Sequence, residues 1–531
     1  MPKLRFIQCF CMVAALAAFG PGPGPRPVFA AEKAVPVPAE DIQVLAAGPI
    51  HEAFAEAVAL DPEPGILAPK APPALIEEIP PDQKPEGDVQ WIPGYWAWDD
   101  ERNDYIWVSG IWRIPPPARQ WVPGYWNPVA PEYQWISGYW ASVKTAETEY
   151  LPEPPESVEV GPSSNAPSPD YIWIPGCWLW QSGRYAWRPG YWAAVHPDWI
   201  WVPARYNWTP RGYIFVSGYW DFTVIHRGVL FAPVFFPSRV HLGLAFFFSP
   251  SFVVSLNIFD DALFLRPRYG HYYYGDYYAP RYYRSGIYPW FSLHARRVVY
   301  DPIYAHQRWH HRNDREWENR LQARFRERRE QEGSRPLRSF SQRTGPDRAG
   351  RSSGAVWSDS VVALDQARKD TAGAYRFKPL SEKERREFSQ RGKAVRTYQQ
   401  ERQSRETQRP KLLEERVSRK PEPNREKFSS SPIMDRSNQK ADRKKAPPAQ
   451  YQAPKPNPNV EPLQRRDDSS RSRGILQRSG DSGQKSDDRG QRSMDKVQPS
   501  GGRGGRPEGL RQRPDERQQR GDDGRKNRNE R

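Results

Sequence analysis

Aromatic side chains supply most of the chemistry open to this sequence. Eighteen of its 22 tryptophans lie between residues 91 and 220. Rows of Trp on a sheet make platforms on which the C–H faces of sugar rings stack. The same rings each bury a large area and so equally make a core. Fourteen of them stand in a repeated Trp-x-(Pro/Ser)-Gly-x-Trp unit: Trp91, Trp96, Trp107, Trp112, Trp121, Trp126, Trp135, Trp140, Trp173, Trp178, Trp187, Trp192, Trp201 and Trp220. These read as core. Trp98, Trp180 and Trp208 lie outside the motif, and the repeat does not require them, so they are the candidate sugar-binding residues. Between Tyr269 and Tyr288 nine tyrosines are interleaved with Arg281 and Arg284. That pattern suits stacking and cation–π contact with a polymer, or plain strand packing.

Other constellations carry less. His306-x-x-x-His310-His311 has the helical spacing of a metal pair, but no HExxH glutamate or further ligand accompanies it. Asp99 and Asp100 sit in an expected turn, without an apolar pocket to raise a carboxyl pKa for glycosidase chemistry. No Walker A or GxGxxG pattern occurs. We therefore expect no enzyme and no cofactor. Gly501-Gly502-Arg503-Gly504-Gly505-Arg506 resembles the RGG segments of nucleic-acid binders, although the expected export argues against nucleic acid.

The elements that position these residues follow from the repeat. Within a unit, alternate residues share a face by the two-residue pleat, and Trp, Tyr, Ile and Val favour strands. Eight units, with first aromatics spaced 14 to 16 residues apart inside each block, fall into two blocks of four, residues 89–141 and 170–221. This predicts a mainly β fold, an antiparallel meander of eight strands. Gln181-Ser182-Gly183-Arg184 and the run 99–104 are hairpin turns. Pro-Gly inside the unit reads as a bend or bulge in preference to a turn, with Gly letting a Trp ring lie over the backbone. The blocks look duplicated, since Trp98 and Trp180 take the same place in each. Trp201-Val202-Pro203-Ala204-Arg205-Tyr206 departs from the pattern and is expected at an edge or in a different pairing.

Around the blocks we expect a signal peptide over 1–30, with Lys3 and Arg5 before an apolar run and Val28-Phe29-Ala30 before the cut. A Pro/Ala/Glu-rich linker follows over 31–88, with one short helix over 51–60, and an acidic solvated insert over 142–169. Short aromatic strands fill 222–311. A charged helix spans 312–331, with Trp317, Leu321 and Phe325 on one stripe, and a basic, mostly disordered tail runs over 332–531. Inside that tail, Ser381 with Glu384 predicts a capping box. Cleavage would leave Cys177 alone, an apolar packing residue. Residues 1–310 hold 23 Lys and Arg against 29 Asp and Glu, while 311–531 hold 56 against 34. The tail is thus the basic arm, suited to an anionic polymer.

At the motif the chain resembles the bacterial WxxGxW (also YxWGxW) repeat family of exported proteins, and its longer stretch resembles multi-repeat members found in planctomycetes. The resemblance implies an envelope-associated protein of the periplasm, cell surface or extracellular space. No integral membrane span is expected after cleavage. Together these expectations describe a non-enzymatic scaffold or interaction protein with envelope polymers or proteins as partners, residues 332–531 reaching the anionic ones. The competing class is a carbohydrate-binding module using exposed Trp.

Overall fold

A computed structural model of the chain describes residues 35–36, 42–237, 246–256, 259–295, 299–339, 360–369, 375–407, 424–427, 429–435, 451 and 453–462. The expected signal peptide and most of the basic tail lie outside the described residues. The chain divides into residues 1–468 and 469–531, and all of the description concerns the first.

The fold is mainly β and antiparallel, and the repeat units are its strands. They close two by two into four bent hairpins. In the first, Tyr95–Asp99 pairs with Asp104–Val108, and Gln90–Ile92 pairs with Ile111–Arg113. The second joins Tyr125–Val129 to Glu132–Ile136 and Arg119–Val122 to Tyr139–Ser142. The third joins Cys177–Gln181 to Arg184–Arg188 and Tyr171–Ile174 to Tyr191–Ala194. The fourth joins Arg205–Thr209 to Gly212–Val216 and Trp199–Val202 to Tyr219–Phe222. One ladder through all eight units does not form among the described residues. Tight turns join the arms of each hairpin, Ser182 and Gly183 both having positive φ as such a turn requires. The longer connections 114–118 and 195–198 contain prolines, which donate nothing to a ladder.

Each unit breaks at its Pro-Gly or Ser-Gly, or at Pro203-Ala204 in the fourth hairpin, so both arms of a hairpin bend at the same level. The bend reading holds. So does the role of glycine: a methyl on Gly110 would stand 2.6 Å from Trp91 Cζ2 and 2.7 Å from the Ile92 carbonyl oxygen. The departing unit at 201–206 does lie at an edge: Trp199–Val202 and Arg205–Thr209 are both outer strands among the described residues, and the pairing keeps the common register, Tyr206 opposite Phe215.

The flanking segments correct the expectation of linker and loop. Residues 51–60 form no helix but a turn whose His51, Glu52, Ala53 and Phe54 are buried. The duplication also reaches back into the segments ahead of each block. Tyr105 Oη donates to the Lys70 carbonyl and Tyr185 Oη to that of Pro152. Trp96 Nε1 donates to the Ala74 carbonyl and Trp178 Nε1 to that of Glu156. The stretch 70–78 before the first block and the stretch 152–159 before the second therefore do the same job. Trp126 Nε1 then ties the second hairpin to the Trp96 carbonyl, and Tyr206 Oη ties the fourth to the Trp178 carbonyl.

The second aromatic segment adds short strands, Gly228–Val229 and Val234–Phe235 extending the first hairpin. His271–Tyr274 pairs with Leu263–Arg266, and its tyrosines are buried. The charged helix spans Trp317–Glu330 with Trp317, Leu321 and Phe325 buried. In the tail, helix Glu382–Thr407 opens on the expected box: Ser381 N–H donates to Glu384 Oε2 at 2.9 Å, and Glu384 N–H to Ser381 Oγ at 3.3 Å. This helix docks on the body, and Asn424–Lys427 pairs with Glu147–Leu151. These parts of 332–531 are ordered elements of the body.

Substituting Gly110→Ala should lower the unfolding free energy by about 3 kcal/mol, since backbone and a packed ring both oppose the methyl. Gly183→Ala, with open space around it but φ +78°, should cost only about 1 kcal/mol. Urea denaturation of the two variants checks the ordering, and equal costs would contradict the packed-bend account.

Candidate functional site

Breaking both arms at the bend leaves the two bend glycines outside the ladder, with N–H groups that must find acceptors once buried. A carboxylate has two oxygens and only accepts, so one buried Glu serves both. In the first hairpin Gly94 and Gly110 donate to Glu78 at 2.6 and 2.8 Å, and Trp107 Nε1 donates at 3.1 Å. In the second, Gly124 and Gly138 each donate to one oxygen of Glu52 at 3.0 Å. In the third, Gly176 donates to Glu159 at 2.5 Å and Trp173 Nε1 at 3.0 Å. The fourth has Ala204 in place of the first bend glycine, and its carboxylate, Glu56, is met by side chains. Arg205 pairs with it, and Tyr219 Oη donates at 2.8 Å.

Either side of each bend, motif aromatics face one another across the hairpin as rungs. Trp91 with Trp112, Trp96 with Trp107, Trp121 with Trp140 and Trp126 with Trp135 have ring centroids 5.1–5.3 Å apart. Trp173 with Trp192, Trp178 with Trp187 and Trp201 with Trp220 repeat this at 5.1–5.4 Å. Most meet edge to face, the favoured geometry, contributing about 0.5–1.5 kcal/mol per pair beyond burial. Twelve of the fourteen motif tryptophans are buried. The exceptions are Trp173 and Trp192.

One pattern now spans the bend glycine, the paired rungs and the hairpin that holds them. The family model of the WXXGXW repeat matches residues 90–113, 169–193 and 197–220. The chain carries the WXXGXW repeat. Each match covers one bent WXXGXW hairpin, so the structural unit is a pair of motifs, and the second hairpin has the same architecture without a match of its own. No curated protein and no solved structure matches the chain.

The off-motif tryptophans form a third rung nearer the hairpin tip. Trp98 lies opposite Tyr105, Trp180 opposite Tyr185 and Trp208 opposite Tyr213. Trp98 is only 4% exposed, so it presents no platform; Trp180 and Trp208 are half-buried. Trp180 and Trp208 pack against one apolar cluster that includes Trp178, Trp187, Tyr206 and Tyr213, while Trp98 belongs to the main core. Arg281 lies over the Tyr282 ring and pairs with Glu101 at 3.2 Å, while Arg284 is exposed. The tyrosines beside them are mostly core, which favours the packing reading of this segment over an open stacking surface. His306 Nε2 lies 3.0 Å from the Pro197 carbonyl and His311 stacks on Trp317. Among the described residues no cluster of three or more His, Cys, Asp or Glu is placed to hold a metal ion. Burial pushes the Cys177 thiol up to about 11, and Arg188 Nη2 donates to its sulfur at 3.0 Å, as suits an inert packing residue.

The carboxylates in the bends are what sequence reasoning missed. Their only signal is apolar neighbours, on both sides in Ala55-Glu56-Ala57 and Val158-Glu159-Val160 but on the C-terminal side alone in His51-Glu52-Ala53 and Glu77-Glu78-Ile79. A second buried group meets the same bend in the second hairpin. Arg402, from the tail helix, donates to the Pro123 and Ser137 carbonyls at 2.8 and 3.1 Å and lies between the Tyr125 and Tyr139 rings. Glu406 balances it at 3.0 Å. The bend is thus closed from its N–H side by Glu52 and from its carbonyl side by Arg402.

Burial pushes the Glu52 carboxyl up from 4.5 to about 7, against the pull of the two glycine N–H donors. Its folded value lies above its unfolded one. The stability it contributes is therefore full below about pH 4.5 and is lost as pH rises through about 7. Glu52→Gln removes that dependence. The stability penalty of the substitution should accordingly shrink by on the order of 3 kcal/mol between pH 4.5 and pH 8. Denaturation of both proteins across this range reads the difference directly, and a constant gap would mean that Glu52 is ionised throughout.

Proposed function

We propose that this protein is an exported, non-enzymatic scaffold or interaction protein of the bacterial cell envelope. What carries the reading is the use made of the repeat. Its tryptophans face one another in buried rungs, and its bend polar groups are met by Glu52, Glu78 and Glu159. Residues spent in this way build a rigid body. The buried Arg113 grips Asp221 with Nη2 2.6 and 2.7 Å from the two carboxylate oxygens, and so locks the first hairpin to the fourth. The basic stretch within residues 332–531 is the arm for anionic polymers or acidic partners, which it holds by charge. No helix among the described residues is long and apolar enough to cross a membrane.

Expressed in a bacterial host, the full chain should accumulate outside the cytoplasm with Ala31 as its first residue, as intact mass will show. Retention of Met1 in a cytosolic product would defeat the export reading. On a dextran sulfate column the protein should elute at lower salt once Arg503, Arg506, Arg511 and Arg513 are changed to Gln. Unchanged elution would take the anionic-polymer role away from the tail.

A further inference from the structure

The same rung is treated differently in the two copies of the duplicated body. In the first hairpin, Trp91 and Trp112 are sealed under Phe231 and Phe388, whose rings lie 6.0 and 5.0 Å away. In the fourth, Tyr451 covers Trp201 and Trp220 at 5.0 and 4.8 Å. In the third hairpin, Trp173 and Trp192 meet no aromatic ring but each other among the described residues. That hairpin also gains no third strand among the described residues, whereas the other three do. Its open rung floors a cleft of about 710 Å³, inside the ~300–1,000 Å³ range of small-molecule sites.

The cleft is built. Trp192 Nε1 donates to the Ser164 carbonyl at 3.2 Å and Trp173 Nε1 to Glu159, so both rings are tied at their edges with faces left partly open. Across the cleft, Trp309 of helix Pro302–His310 is also partly open. Its Nε1 donates to Asp170 Oδ1 at 3.3 Å, and the Arg312 guanidinium lies 4.5 Å from its ring centre. Arg308 pairs with Glu318 at 2.7 Å and Arg312 with Asp170 at 3.1 Å. Three arginines, 308, 312 and 315, stand among the lining with three carboxylates, those of residues 159, 314 and 318. The lining thus carries no net formal charge, and burial holds the nearby His294 imidazole down at about 4, neutral at pH 7.

We propose that this cleft binds a neutral saccharide, with Trp173, Trp192 and Trp309 stacking on its rings. Flat apolar faces suit the C–H faces of pyranose rings. The rim offers donors from guanidinium groups beside acceptors from carboxylates, and a hydroxyl uses both at once. A proline-rich peptide also seeks aromatic grooves, but a proline run offers only carbonyl acceptors and could engage the guanidinium groups of the rim alone, not its carboxylates. The charge balance disfavours a polyanion, so this site is separate from the basic tail and does not rest on the scaffold reading.

The test is a glycan array with the full chain, followed by calorimetric titration of the best neutral oligosaccharide at low and high salt. Binding should be insensitive to salt. It should weaken at least tenfold in Trp309→Ala and in Trp192→Ala, with Trp208→Ala, on another hairpin, unaffected. Trp309 stands outside the rungs, so its variant should keep the thermal midpoint of the parent and isolates binding from folding. The proposal is overturned if no neutral glycan binds at millimolar concentration, or if binding survives both substitutions. It is equally overturned if only sulfated or uronic glycans bind and salt removes them, or if a polyproline peptide occupies the cleft in their place.

Discussion

A strand that bends must leave backbone donors without a ladder, and the repeat of this protein depends on how that debt of hydrogen bonds is met. A bend with two glycines admits the Trp rings that lie against it, because no Cβ stands in their way. It also turns two N–H groups inward. Water cannot reach them, so a buried acceptor is obligatory, and an unmet donor would cost about 1–3 kcal/mol. One glutamate answers both donors in each of the first two hairpins. The Trp rungs, the bent shape and the burial of the flanking segments all follow from that arrangement.

The same constraint explains the departure at Ala204. Where the repeat loses its first bend glycine it gains Arg205, and Arg205 pairs with Glu56. The carboxylate is kept while the donors change from backbone to side chain. Position 205 holds Tyr or another uncharged residue in the other units, so Arg205 and Ala204 belong to one alternative solution of the same problem.

Much of the body was legible in the sequence because its signals are local. Turn residues at Ser182-Gly183, the capping pair Ser381 and Glu384, and the stripe of Trp317, Leu321 and Phe325 each act within a few residues. The pairing of units was harder, since identical strands offer no preference of their own. Only the prolines at 115–117 and 197 mark where pairing stops. The role of 51–60, 70–78 and 152–159 was hidden. Their composition is that of a linker, and their burial comes from distant partners such as Trp140, Arg205 and Tyr219, 87 to 163 residues away. Trp98 misled for a related reason: its partner Tyr105 lies across the turn, and a residue outside the motif was still inside the rung pattern. The cleft beside Trp173 and Trp192 could not be read at all, because the motif there is unchanged and only the covering ring is missing.

The placement of the acidic clamps has a consequence for how the chain is made. Glu78 precedes the first hairpin, Glu52 the second, Glu159 the third and Glu56 the fourth. In a chain that emerges from its N-terminus every acceptor therefore precedes the donors it will satisfy, so each hairpin finds its acceptor already present. Arg402 is the exception. It belongs to a helix and stands 265 and 279 residues after the two bend carbonyls that it caps. The order of the chain thus places the acceptors first and, on the second hairpin, the closing latch last.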